Sequence, residues 1–233
     1  MAAALVAVAL LGTACWNSTL ESAKHHQDVV VSATPLAINQ NPNLKVTVEA
    51  LLSDANATAV VVSVSNRDAK RAAVWVPIVV KLKDAAGNVL ASNTAGGNDP
   101  SLTHFPSLPP GGTAYFVDDQ FPPGIGATDA TVALGGQLTP ITQPLPTITV
   151  SSIHTSDAGG GLTQFTGRVR NDSSIAQPLL IVQAIAVRGG KIVAAGTSVV
   201  RDLAPGADSS FLGFFIGDPT GADVRIFAPP TAA

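Results

Sequence analysis

The chain has 233 residues, 12% of them charged and 5% aromatic, and a net charge of −3. With no run of Lys or Arg, this balance excludes a nucleic-acid footprint and a polybasic membrane patch. A single cysteine, Cys15, excludes an internal disulfide framework and any Cys-based zinc site.

Val, Ala, Thr, Gly and Pro dominate, a composition that suits short strands joined by many turns and argues against long helices. Residues 2–11 form an apolar run too short to span a bilayer, and Gly12-Thr13-Ala14 follows directly before Cys15, which is the layout of an export signal. The segment Leu11-Gly12-Thr13-Ala14-Cys15 resembles a bacterial lipobox. That resemblance implies cleavage before Cys15, a diacylglycerol on its thiol and attachment to the membrane outside the cytoplasm. Two features depart from the pattern: Gly12 stands where Leu is usual, and no Lys or Arg precedes Lys24. The alternative is cleavage after the small-x-small triplet, leaving a secreted protein with one free thiol. Residues 1–14 are thus expected to be a signal segment. Residues 15–27, with Trp16, His25 and His26, are expected to be a polar, poorly ordered tether.

A first module is expected over residues 28–137. Val29-Val30-Val31 and Leu44 to Val48 are its opening strands, separated by a turn cluster around Pro42. Val60, Val62 and Val64 fall on one face of the next strand, with Val61, Ser63 and Ser65 on the other. In the strand after that, Val76, Ile78, Val80 and Leu82 point inward, while Pro77 calls for an edge or a bulge. Asp84 to Asn88 turns the chain into Val89-Leu90-Ala91. Residues 92–112 hold little that builds regular structure and read as a solvated crossover between sheets, or else as a binding loop. Tyr115 to Val117 and Ala130 to Leu134 complete the module.

Pro140, Pro144 and Pro146 make residues 138–147 an extended linker and a domain boundary. The second module, residues 148–233, opens at Ile148 to Ile153 and turns at Asp157 to Gly161. Phe165 and Val169 face inward, with Arg168 and Arg170 outward. Leu179 to Val187 is apolar on both faces, which marks it for packing between modules or against a partner. Of Phe211, Leu212, Phe214, Phe215 and Ile216, most belong to the core and one or two do not.

The modules share a plan. Asn66 and Asn171 each end a strand, Pro110-Gly111 and Pro205-Gly206 precede Phe116 and Phe211 by the same interval, and Gly126-Ala127 and Gly221-Ala222 lie equally far beyond. Such matched spacing points to a tandem repeat. With Val80-Lys81-Leu82-Lys83-Asp84, Asn66 and Leu108-Pro109-Pro110-Gly111 in the first module, the chain resembles the FxLYD-type immunoglobulin-like domains of bacterial envelope lipoproteins. Val80 replaces the aromatic of that signature. The second module keeps Asn171 and Leu203-Ala204-Pro205-Gly206 but lacks the Asp. The resemblance implies an all-β chain of two tandem immunoglobulin-like β-sandwiches, with a binding or scaffolding role and no catalytic residue.

The chemistry-bearing residues fit no known constellation. His25 and His26 read as solvated linker, and His104 and His154 lack ligand spacing. Asp118-Asp119 has no calcium loop around it and reads as a solvated strand end. Gly159-Gly160-Gly161 is a hairpin turn, and Asn66 and Asn171 are expected to hydrogen-bond neighbouring turns. The sequons at Asn56 and Asn171 carry little weight. No catalytic residue, cofactor or metal is expected. The expected role is a non-catalytic, lipid-anchored envelope protein holding a protein partner through its modules, with Cys15 as the lipidation site. The alternative is a secreted ligand- or glycan-binding protein using the 92–112 loop, although Trp16, Trp75, Phe105 and Tyr115 are few and dispersed for sugar stacking.

Overall fold

The structure is a computed structural model that describes residues 38–232, in which strands predominate and no α-helix occurs. The expectations for Cys15, Trp16, His25, His26 and Val29 to Val31 lie outside the described residues. In chain order the strands are β1 (Leu44–Ser53), β2 (Thr58–Asn66), β3 (Arg71–Ala72), β4 (Val76–Lys83), β5 (Val89–Ser92), β6 (His104–Phe105), β7 (Thr113–Phe121), β8 (Asp129–Leu134), β9 (Thr139–Pro140), β10 (Ile148–Gly159), β11 (Leu162–Asn171), β12 (Gln177–Arg188), β13 (Lys191–Leu203), β14 (Asp208–Gly217) and β15 (Asp223–Phe227).

Two sets of antiparallel strands recur in the two halves, with the difference that in the second half β13 also pairs with β14 and joins the sets into one six-stranded sheet. In the first half β2 lies between β1 and β7, and β4 lies between β5 and β8. In the second half β11 lies between β10 and β14, and β12 lies between β13 and β15. Each half has its own core: Val60, Val62, Ile78, Leu82 and Phe116 in the first, Phe165, Val169, Val182, Ala184 and Phe215 in the second. The alternation expected for β2, β4 and β11 is observed, as a strand lining a core on one face requires. Of the aromatic cluster on β14, Phe211, Phe215 and Ile216 are buried, and Leu212 and Phe214 stand exposed.

β4 is the centre of its sheet, and Pro77 lies one residue beyond the β4–β8 ladder, which ends at Ile78 opposite Leu134. On its other side Pro77 stands opposite His104 of the short strand β6, and its carbonyl still accepts from the Gly135 N–H, so the proline is neither at an edge of the sheet nor outside its pairing. On the other side of β4, buried Asn93 fills the gap between β5 and β6. Its Oδ1 accepts from the Val80 N–H at 2.9 Å, and its Nδ2 donates to the carbonyls of Ile78 and Leu102.

Residues 92–112 depart from the expected solvated crossover. A 3-10 turn at Pro100–Thr103, strand β6 and a bridge from Leu108 to Ala73 order the segment, and Leu102, Phe105 and Leu108 are buried in the first core. Those three apolar residues were hidden from a turn-based reading by the Gly, Asn and Pro around them; burial of Phe105 and its neighbours outweighs local irregularity. Leu138 packs into the same core, and β9 pairs with β3. The described residues form one compact unit.

Candidate functional site

The two halves meet where the outer face of β2 and β7 lies against β12 and β13. Val61 and Val117 from the first half are fully buried together with Ile185 and Ala195 from the second, with Leu52, Tyr115 and Phe227 at the margin. The second face of β12, expected to be a packing surface, is thus covered by the other half of the same chain. Tyr115 and Phe227 lie with ring centroids 5.8 Å apart. The C-terminal segment crosses the boundary too, where the Ser107 N–H donates to the Pro230 carbonyl at 2.8 Å.

Polar groups inside this apolar joint are few and specific. Gln183, fully buried, interrupts the apolar run of β12, and its Oε1 accepts from the Val117 N–H at 2.9 Å. Thr197 stands directly opposite Gln183 in the β12–β13 ladder. The Asp119 carboxylate accepts from both the Thr197 N–H at 2.6 Å and the Thr197 hydroxyl at 2.7 Å. At the far end, Asp54 accepts from the Gly217 N–H at 3.0 Å. Burial works against the charge of Asp54, yet the N–H groups of Asn56, Gly217 and Ala57 together hold its carboxyl below the usual range.

Asp118 and Asp119 are not the solvated strand end that the sequence suggested. Asp118 is fully buried, its Oδ2 has no hydrogen-bond partner, and burial reinforced by the charge of Asp119 pushes its carboxyl up to about 8. Burial also raises Asp119, against the pull of its bonds to Thr197. The pair was misread because alternation along β7 turns Asp118 toward the first core, opposite Val60, and Asp119 toward Thr197 of the second half; nothing local in Asp-Asp-Gln encodes that cover.

The other residues singled out in the sequence are dispersed. Asn66 and Asn171 form matching nodes in the two halves. Asn66 Nδ2 donates to the carbonyls of Arg71 and Pro109 while its Oδ1 accepts from the Asp68 N–H. Asn171 Nδ2 donates to the carbonyls of Ile175 and Leu203 while its Oδ1 accepts from the Ser173 N–H. The backbone repeats as well: the N–H of Asn66 donates to Gly112 and that of Asn171 to Ala207. Both asparagines are buried, so the sequon at Asn171 marks a turn brace. Gly159-Gly160-Gly161, all at positive φ, turn β10 into β11.

His104 stacks on Trp75, with ring centroids 5.0 Å apart and planes within 1°, and burial lowers its pKa. Trp75 holds a left-handed backbone, φ 48°, a conformation that costs a non-glycine residue of order 1 kcal/mol. His154 lies far from that pair along the chain, on exposed β10. No cluster of three His, Cys, Asp or Glu that could hold a metal, and no helix long and apolar enough to cross a membrane, occurs among the described residues.

Sequence reasoning marked β12 as one side of the joint and missed the β2–β7 face opposite and the polar contacts within it. The usable signal was Gln183, a lone carboxamide in the middle of a strand apolar on both faces, since a buried polar side chain demands a partner. In comparisons with known proteins, no protein family and no curated protein matches the chain.

Proposed function

We propose that the protein is a lipid-anchored component of the bacterial cell envelope, built from two tandem immunoglobulin-like sandwiches and acting as a non-catalytic scaffold for a protein partner. The observation that carries this reading is the joint. Two halves, each with its own core, are fastened by an apolar seam and by the Gln183–Val117, Asp119–Thr197 and Asp54–Gly217 hydrogen bonds, so both present their outer faces in a fixed relation. A binding arm benefits from that preorganisation, because less order is lost when a partner docks. The outer face of β14 offers Leu212 and Phe214, 50% and 40% exposed, as apolar contact points.

The matching asparagine nodes favour a duplicated sandwich, and the sequence before Cys15 favours the anchor. The 92–112 segment supports a ligand-binding role less well, since Leu102, Phe105 and Leu108 face the core and are not open to a ligand.

Two measurements test the reading. Metabolic labelling with a palmitate analogue should mark the wild type and not Cys15→Ala; equal labelling would remove the anchor. A photo-reactive residue placed at position 214 in membranes should yield one discrete protein adduct that a probe at Lys191 does not. A ladder of unspecific adducts at both positions would remove the scaffold.

A further inference from the structure

Thr197, Gln183 and Asp119 form a constellation that an ordinary packing joint does not require. Thr197 and Gln183 are paired in register on adjacent antiparallel strands, where opposed Cβ atoms lie about 4.5–5.5 Å apart, within reach for a Thr hydroxyl and a Gln side-chain carbonyl carbon. Both turn toward β7 and are held by residues two apart on it, Val117 and Asp119. We propose that this site forms an intramolecular ester between the Thr197 hydroxyl and the Gln183 side chain once the two halves have docked.

The groups for such an acyl transfer are in place. Asp119 accepts the hydroxyl proton of Thr197 in a 2.7 Å hydrogen bond, the geometry of a general base and its nucleophile. The Val117 N–H, 2.9 Å from Gln183 Oε1, lies where negative charge would develop on that oxygen. Gln183 Nε2 is buried without a hydrogen-bond partner, so no contact within the protein holds the departing amide nitrogen. Burial strengthens Asp119 as a base, and the neutral state favoured for Asp118 leaves the negative charge of the acidic pair on Asp119.

The step balances within the protein. Asp119 takes the Thr197 proton, and Oγ1 adds to Cδ of Gln183. The addition product then collapses with cleavage of the Cδ–Nε2 bond, and the proton passes from Asp119 to the leaving nitrogen. One C–O bond forms, one C–N bond breaks, and one ammonia leaves; no oxidant or co-reactant is involved. Full burial of Gln183 shields the acyl carbon of the ester from water. This single self-modification is independent of the scaffold reading and does not require a partner.

Mass spectrometry of the purified full chain decides it. Trypsin cuts after Arg188 and Lys191, which separates the Gln183 peptide from the Thr197 peptide unless an ester joins them. Digestion of the denatured wild type at mildly acidic pH should give the joined pair, lighter by one ammonia than its parts, and hydroxylamine should release it. Thr197→Val and Asp119→Asn should give two separate peptides. The wild type needs no variant to decide the matter: two unmodified peptides after prolonged incubation at neutral pH would overturn the proposal. A joined pair that persists in Thr197→Val would overturn it as well.

Discussion

Asn66 and Asn171 each brace three backbone groups with one carboxamide, and both are buried. Truncation leaves carbonyls of two different segments without their donor. Asn171→Ala should therefore cost about 2–3 kcal/mol in chemical denaturation, more than one average hydrogen bond. A loss under 0.5 kcal/mol, on the order of a neutral surface change, would show the node to be dispensable. Asp118 acts in the opposite sense. Its folded carboxyl titrates near 8, against an ordinary value of 3.8. Between these values the folded chain keeps a proton that the unfolded chain has lost, so stability falls as pH rises through that window and levels off above it. Asp118→Asn removes the cost. Thermal melts should show the variant more stable than wild type at pH 9, by on the order of a few kcal/mol, with the difference vanishing toward pH 4. A gain independent of pH would mean that packing, and not charge, limits the site.

At the level of elements, β12 and β13 carry the organisation of the molecule because each serves two environments. Even-numbered residues of β12, Leu180, Val182, Ala184 and Ala186, line the second core, while Ile181 reaches the first and Ile185 fills the joint. Ile185→Asp places a charge in that apolar seam, a burial that costs several kcal/mol. It should lower the melting temperature sharply, whereas the same change at exposed Ile153 should leave it within a few degrees. The neighbouring β13 approaches β14 closely at Gly196. A Cβ there would press into the Phe214 carbonyl and the Phe165 ring, so Gly196→Ala must push the strands apart. Its effect should exceed that of Ala at Gly190, where the turn leaves open space and only the positive φ resists.

For the whole molecule, each half has its own main paired strands and core, but separation uncovers the joint, takes Ile181 from the first core and leaves β3 without β9. Fragments 28–138 and 146–233 should both give β-type circular dichroism. The second, with Ile185, Ala195 and Phe227 laid bare, should melt lower, bind a hydrophobic dye and regain stability when the first is added. Independent melts at the temperature of the intact chain would mean that the joint contributes nothing.

The positions of β1, β2, β4, β5, β7, β8, β11 and β12, the inward faces of β2, β4 and β11 and the two asparagine braces were legible in the sequence, because side-chain alternation, turn chemistry and polar strand ends are local signals, whereas β13 and β15 were not placed. The doubly apolar β12 even announced that something must cover it. What covers it was decided only by the tertiary structure, as were the burial of Asp118 and the meeting of Gln183, Thr197 and Asp119. The order of residues 92–112 belongs with these, since Leu102, Phe105 and Leu108 have no periodicity and are organised by the core they enter. The reason is the range of the forces involved. Periodicity and turns act over a few residues, whereas burial and the charge state of a buried carboxyl depend on atoms that the chain brings together from 60 or more positions away.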